Sequence, residues 1–331
     1  RDMTPDLTRF KGISLAGYGA RYPNTCTGVH DRVKAKALVV SDGKKKIAIV
    51  TTDLLIIPME MKGLVVAKVG DLGFDSSSFL LTASHSHCAP ENTHPAGDLF
   101  PRAFGKFNRE FRDWLVEEIA AATREANGKL EPVIMACGRD PLPGLNRNRR
   151  EGETTTDPDM TVVRFDSVKR KGAVVAVIVN FAAHPTIMGP ETLEMSAEWR
   201  GVVQRSLEGQ LSPGSVVMYM NGAQGDQTTS GRNGEGWQAV ENYGQKVAEH
   251  ARAILIFAEP MRTKSIGAAE ILSQLPRQQV SRVFSETTGK EYAIDAGQIN
   301  QLLPRFFPER VGLQAIRLGD LVLLAVPGEL T

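Results

Sequence analysis

The sequence predicts an α/β fold: mixed β-sheets flanked by helices, layered into a single catalytic-sized domain spanning residues 1–331. Three observations carry that expectation. Short β-branched apolar runs alternate with longer stretches of helical period through the first two thirds of the chain. Pairs of apolar runs are joined by turn-forming residues, so hairpins are present and the sheets are mixed rather than wholly parallel. No internal repeat, low-complexity linker or composition break divides the 331 residues, which suffice for one large core.

The elements follow in order. Runs 35–40 and 47–52 flank Ser41-Asp42-Gly43-Lys44, and Asp-Gly between apolar runs signals a hairpin. Residues 59–72 read as a helix and 79–83 as a strand. A helix over 107–126 has Phe107, Phe111, Trp114, Leu115 and Ile119 on one stripe. Strands over 132–137 and 161–165 come next, the latter joined through 168–172 to the apolar run starting at Ala173. A helix over 198–209, a strand over 215–220 and a long helix over 235–257 complete the alternation. A third hairpin, 313–318 with 321–326, turns at Gly319-Asp320, leaving 140–156 and 276–309 as long excursions.

Composition narrows the function. A net charge of +1 argues against nucleic acid as the main partner. No apolar stretch approaches the roughly 20 residues of a membrane-spanning helix. The three cysteines lack a C-x-x-C pair and form neither a disulfide framework nor a thiolate zinc site. Cys88 beside His87 is either a small buried thiol or one half of a Cys-His nucleophile. No signal peptide is read at the amino terminus, which leaves the compartment open.

The ends of the apolar runs, in order, are Asp53, His85 with His87, His184, Asn221 and Glu329. Ligands of α/β sheets collect where strands give way to loops. Half of the six histidines sit at such ends, and imidazoles with a carboxylate make a zinc-type donor set. Each has a plainer alternative. His85 and His87 share a face only if their strand persists through both; otherwise one is a solvent-exposed turn histidine. His184, before Pro185, is otherwise a core imidazole bonded to a carbonyl, and Glu329, after Gly328, a solvated carboxylate. His94 lies in a loop. The segment 221–229 is rich in small residues whose amides suit an anion or carbonyl oxygen, but it lacks the Gly-Lys-Ser/Thr ending of a phosphate loop. The basic run Leu145-Asn146-Arg147-Asn148-Arg149-Arg150 is either a solvated loop or a guanidinium source for substrate oxygens.

Taken together, these stretches resemble the neutral (non-lysosomal) ceramidase family over almost the whole chain. The resemblance rests on Gly17-Tyr18-Gly19, Thr27-Gly28-Val29-His30-Asp31, Lys34-Ala35-Lys36-Ala37 and Thr52-Asp53. It continues through Ala83-Ser84-His85-Ser86-His87-Cys88-Ala89-Pro90, Asn148-Arg149-Arg150, Asn180-Phe181-Ala182-Ala183-His184-Pro185-Thr186 and Pro327-Gly328-Glu329-Leu330-Thr331. It implies a zinc amidase that cleaves an N-acyl bond, in ceramide or a related N-acyl lipid, with a metal-activated water. His85, His184 and Glu329 would be metal ligands, His87 an acid-base group, and Arg149 and Thr228 would contact reacting oxygens. Asn221, Gly225 and Asp226 would line the substrate. Thr228 stands where the family has a serine. The family's further tyrosine ligand and immunoglobulin-like domain lie downstream of the Pro-Gly-Glu strand, and this sequence reaches Thr331. Family analogy implies an extracellular or periplasmic setting, with membrane-surface contact left open. The rivals are another metallohydrolase, acting on a small or sugar amide or a phosphoester with Asp53 and Asp226 at a second metal, and a non-catalytic relative.

Overall fold

The computed structural model describes residues 1–276, 281, 283–297, 299–300 and 308–331. In chain order the strands begin with β1 (Gly28–Val29), β2 (Ala35–Ser41), β3 (Lys46–Thr52) and β4 (Phe79–Ala83), with α1 (Met59–Val69) between β3 and β4. Helices α2 (Pro101–Phe104) and α3 (Arg109–Asn127) follow, then β5 (Val133–Pro141), β6 (Asn146–Asn148), β7 (Asp159–Ser167), β8 (Val174–Phe181) and β9 (Glu194–Met195). Helix α4 (Glu198–Glu208), β10 (Val216–Asn221), β11 (Gln227–Thr229), α5 (Gly236–Phe257) and β12 (Glu259–Pro260) come next. The last elements are β13 (Ile266–Gln274), α6 (Thr288–Tyr292), β14 (Arg310–Leu318) and β15 (Leu321–Ala325).

Two mixed sheets, β2-β3-β4 and β10-β8-β7-β5-β12, lie face to face between two helical layers. Strand alternation produces this layering directly. Val39, Ala48, Val50, Phe79 and Leu81 pack with Met61 and Val65 of α1 and Phe111, Leu115 and Ile119 of α3. The intervening residues Leu38, Val40, Ile47, Ile49 and Leu80 turn the other way, against Val163, Phe165, Ala176, Ile178 and Met218 of the second sheet. The far face of that sheet, with Val162, Val177, Val179 and Tyr219, packs on α4 and α5. Each fully buried side chain of this size stabilises the fold by about 1.5–3 kcal/mol. The hairpin β14–β15 and its neighbour β13 extend the inter-sheet core through Ile266, Ile316 and Leu318.

The two sheets share a plan that residue patterns did not disclose. β2 and β3 form an antiparallel hairpin, α1 crosses over, β4 returns parallel to β3, and α3 covers the face. β7 and β8 repeat the hairpin, α4 crosses over, β10 returns parallel to β8, and α5 covers that face. The expected absence of a repeat therefore holds for residues and fails for topology. Other differences are local. Helix α3 starts at Arg109 rather than 107 because the Asn108 side chain accepts a hydrogen bond from the Phe111 N–H (3.0 Å) and caps it. The excursion expected over 140–156 contains β6, which pairs antiparallel with β11. β13 was not anticipated. Part of the excursion 276–309 lies outside the described residues.

Candidate metal centre

The site forms where the two sheets end side by side. β4 stops at Ala83, and Ser84 and His85 donate their amides to Thr52 O (2.7 Å) and Leu54 O (2.8 Å). His85 then takes φ +66°, a left-handed conformation rare for a residue with a side chain. The strand thus does not persist through His85 and His87, yet a kinked turn puts both rings on the same pocket, with centroids 5.2 Å apart. His184 follows β8, its amide bonded to Gln227 O (2.9 Å). Glu329 arrives beyond β15 on a segment anchored by the Gly225 N–H, which donates to Leu330 O at 2.6 Å. A side chain on Gly225 would meet that carbonyl at 2.8 Å, so only glycine permits the approach.

His85 and His184 present Nε2 to each other at 3.1 Å, and Glu329 Oε1 lies 3.0 Å from His85 Nε2. Glu329 Oε2 lies 3.9 Å from His184 Nε2. The outer nitrogens fix the tautomers. His85 Nδ1 faces Leu55 O at 2.9 Å and His184 Nδ1 faces Gln224 O at 3.2 Å. A carbonyl oxygen can only accept, so each Nδ1 carries a proton, and in the uncharged form of each ring the Nε2 lone pair points inward. Two lone pairs and a carboxylate converging at this range repel one another unless a cation or a proton sits among them. Carbonyl-anchored Nδ1–H groups are also the usual orienters of metal-bound imidazoles. Burial, then the neighbouring His85, hold the His184 pKa down, while the close approach of His85 Nε2 holds Glu329 below the usual carboxylate range. Neutral imidazole and ionised carboxylate are the metal-binding forms, and this donor set fits zinc.

His87 completes a cluster in which the ligand atoms of His85, His87 and His184 all lie within 4.8 Å of one another. It differs from its neighbours in having no hydrogen-bond partner at either ring nitrogen. Burial pushes its pKa well below the ordinary histidine value, helped by His85 and His184, so it is neutral. Gly17 and Tyr18 hold the ring. Gly17 has φ +89°, a Cβ there would lie 2.2 Å from His87 Nδ1, and the Tyr18 ring centroid is 5.0 Å away.

The remaining predicted residues fall around this centre. Arg149 approaches Glu329 Oε2 at 3.6 Å and donates from Nε to Gly225 O at 2.9 Å. Asp226 accepts from Asn148 Nδ2 at 2.9 Å, and its Oδ1 has no partner. Asn221 Nδ2 donates to Ala83 O across the two sheets (2.9 Å), leaving Oδ1 unpartnered. The Thr228 hydroxyl lies 3.0 Å from that of Thr186. Asp53 is drawn into structure instead, accepting from Lys34 N at 2.9 Å and Gln204 Nε2 at 3.0 Å. His94 caps a short helical turn by accepting from Ala96 N. Burial raises the Cys88 thiol pKa, which keeps it a thiol and argues against a Cys-His nucleophile. Two groups went unread in the sequence: Arg21, which donates to His87 O and to Ala16 O (2.7 Å), and the fully buried Arg200.

Two imidazoles and a carboxylate thus meet at the strand ends of a four-layer α/β sandwich. The chain belongs to the neutral/alkaline non-lysosomal ceramidase family, whose amino-terminal region matches residues 2–230; Glu329 lies beyond that match. A neutral ceramidase of Oryza sativa is 24% identical over 214 residues, 59% of this chain and 27% of that protein. One of Mycobacterium tuberculosis is 25% identical over 207 residues, 56% of this chain and 32% of that protein. These matches therefore span about a third or less of each curated relative. The crystal structure of neutral ceramidase from Pseudomonas aeruginosa superposes with a TM-score of 0.82 at 19% identity, covering 99% of this chain and 61% of that one. A ceramidase complexed with C2 gives 0.78 at 19% identity, covering 99% and 62%. These structures share the fold.

Proposed function

We propose that the chain is a zinc-dependent amidase that hydrolyses the N-acyl bond of ceramide or a related N-acyl lipid. The observation that carries the reading is the inward pairing of the His85 and His184 Nε2 atoms beside Glu329, which only a cation or a proton relieves. Family membership and relatives bearing the name neutral ceramidase support the substrate class. Bound between these three residues, zinc would supply a Lewis acid for the amide carbonyl and an activated water.

The chain's own groups divide the rest. His87, buried, neutral and unpartnered, takes a proton and returns it to the leaving amine. Its lack of an orienting carbonyl favours this role over a third ligand. Arg149 holds the Glu329 carboxylate from outside and offers its remaining N–H donors to negative charge on the substrate oxygen. The Thr228 hydroxyl is a second contact for that oxygen. The free Oδ1 atoms of Asn221 and Asp226 are acceptors for substrate N–H or O–H groups, while Gly225 keeps the carboxylate in place. The rival metallohydrolase would place Asp53 and Asp226 at a second metal; Asp226 Oδ1 is free, but both Asp53 oxygens are already bonded to the protein.

The test is zinc stoichiometry with hydrolysis of a fluorogenic N-acyl sphingoid substrate. One zinc per chain and turnover abolished in His184→Ala are expected. Two metals per chain, or turnover unaffected by His184→Ala, would overturn the reading.

A further inference from the structure

Both histidine loops hang from one buried cation. Arg200, on α4, is fully buried, and its guanidinium donates to three oxygens: Ser84 O, Ala183 O (2.5 Å) and Gln224 Oε1. Ser84 and Ala183 are the residues immediately before His85 and His184. One planar group therefore grips the two peptide units that carry the paired imidazoles, one from each sheet. The third acceptor feeds the same point, because the Gln224 backbone carbonyl orients His184 Nδ1. The plane of the fork is held by aromatic faces, with the guanidinium carbon 4.8 Å from the Trp199 ring and 5.0 Å from that of Tyr219.

Packing alone does not call for this residue. A buried guanidinium is costly to desolvate, and other buried positions on the same helix are met by Val202, Val203 and Leu207. Its fork geometry is what matters: Nη1 reaches one histidine loop and Nη2 the other, so their spacing is set by a rigid covalent group. Strand packing cannot do this, since Ser84 and Ala183 have already left their strands.

We propose that Arg200 is a positioning residue that sets the separation of His85 and His184, and through it the affinity of their Nε2 atoms for a zinc-like divalent cation, without touching substrate. The inference rests on the metal reading above. Outer-shell partners of this kind typically change metal affinity roughly 10–100-fold.

The experiment is competitive zinc titration against a chromophoric chelator, alongside thermal unfolding and the visible spectrum of the cobalt-loaded protein. R200K keeps the charge and N–H donors at a single point; R200Q is neutral with two N–H donors; R200M has none. Zinc affinity is expected to fall in the order parent, R200K, R200Q, R200M, by roughly 10–100-fold at the end of the series, with altered cobalt bands. R200Q decides the matter if R200M does not fold. A merely structural arginine would lower the melting temperature and leave zinc affinity and cobalt bands as in the parent; that result overturns the inference alone. Failure of the parent to bind zinc, or binding that His184→Ala leaves intact, overturns the metal reading and this inference together.

Discussion

The two halves of the sandwich run the same course, hairpin then crossover helix then parallel strand, and use it differently. Each offers two strand ends toward the centre. In the first half the β3 end delivers Asp53, spent on Lys34 N and Gln204, while the β4 end delivers His85. In the second half the assignment is reversed: the β8 end delivers His184, and the β10 end delivers Asn221, whose amide ties the sheets together at Ala83 O. The crossover helices diverge as well. The buried residues of α1 are Met61, Val65 and Val69, all apolar, whereas those of α4 include Glu198, Arg200 and Gln204. A shared topology thus guarantees where side chains can converge; which ends offer candidate ligands and which become fasteners depends on the chemistry placed on each strand end and on the helix packed behind them.

Substitutions can break that division of labour. The largest effect is expected at the glycines that press the working groups into place. Gly17→Ala drives a Cβ into His87, so turnover should fall about 10²–10⁴-fold while zinc affinity stays near the parent's. Gly225→Ala should do the opposite, weakening zinc binding by displacing the Glu329 segment. Parallel kinetics and zinc titration separate the two; a loss of zinc in Gly17→Ala would make His87 a ligand.

A smaller change is expected at the fasteners. Asp53→Ala and Asn221→Ala each leave buried partners unsatisfied and should cost about 1–3 kcal/mol in urea unfolding, with one zinc still bound. Loss of zinc in either would erase the distinction between ligand and fastener ends.

A third effect is confined to a window of pH. Glu91, in the loop after β4, is fully buried, and burial raises its pKa from 4.5 to about 8. A carboxyl group with a raised folded-state pKa contributes stability that is complete below pH 4.5 and is lost as pH rises through about 8. Glu91→Gln should therefore flatten the decline in melting temperature between pH 5 and 8, measured without added metal.

The convergence of the candidate ligands was legible because apolar strand runs stop abruptly at polar residues: His85, His184 and Glu329 each stand just past such a run. The layering was legible for the same reason, since alternation along β2, β3 and β7 assigns each residue to one core or the other. The left-handed turn at His85 was not, because nothing in the residue type demands φ +66°. Arg200 was hidden because an arginine in a helical run reads as a solvated position, and its burial depends on acceptors from loops distant in sequence. The duplicated plan is not legible in the sequence, because repetition of hydrogen-bonding order leaves no trace in residue identity.

The carboxylate at Glu329 stands far from both histidines along the chain, and its segment is anchored at Leu330 O by the Gly225 amide of the loop after β10. Contacts of such long sequence separation require that the intervening chain be ordered first, because closing the loop is otherwise opposed by its entropy. If these residues hold zinc as proposed, acquisition of full zinc affinity during refolding should accordingly trail the recovery of helical signal, which would make metal uptake a reporter of the step that brings Glu329 to His85 and His184.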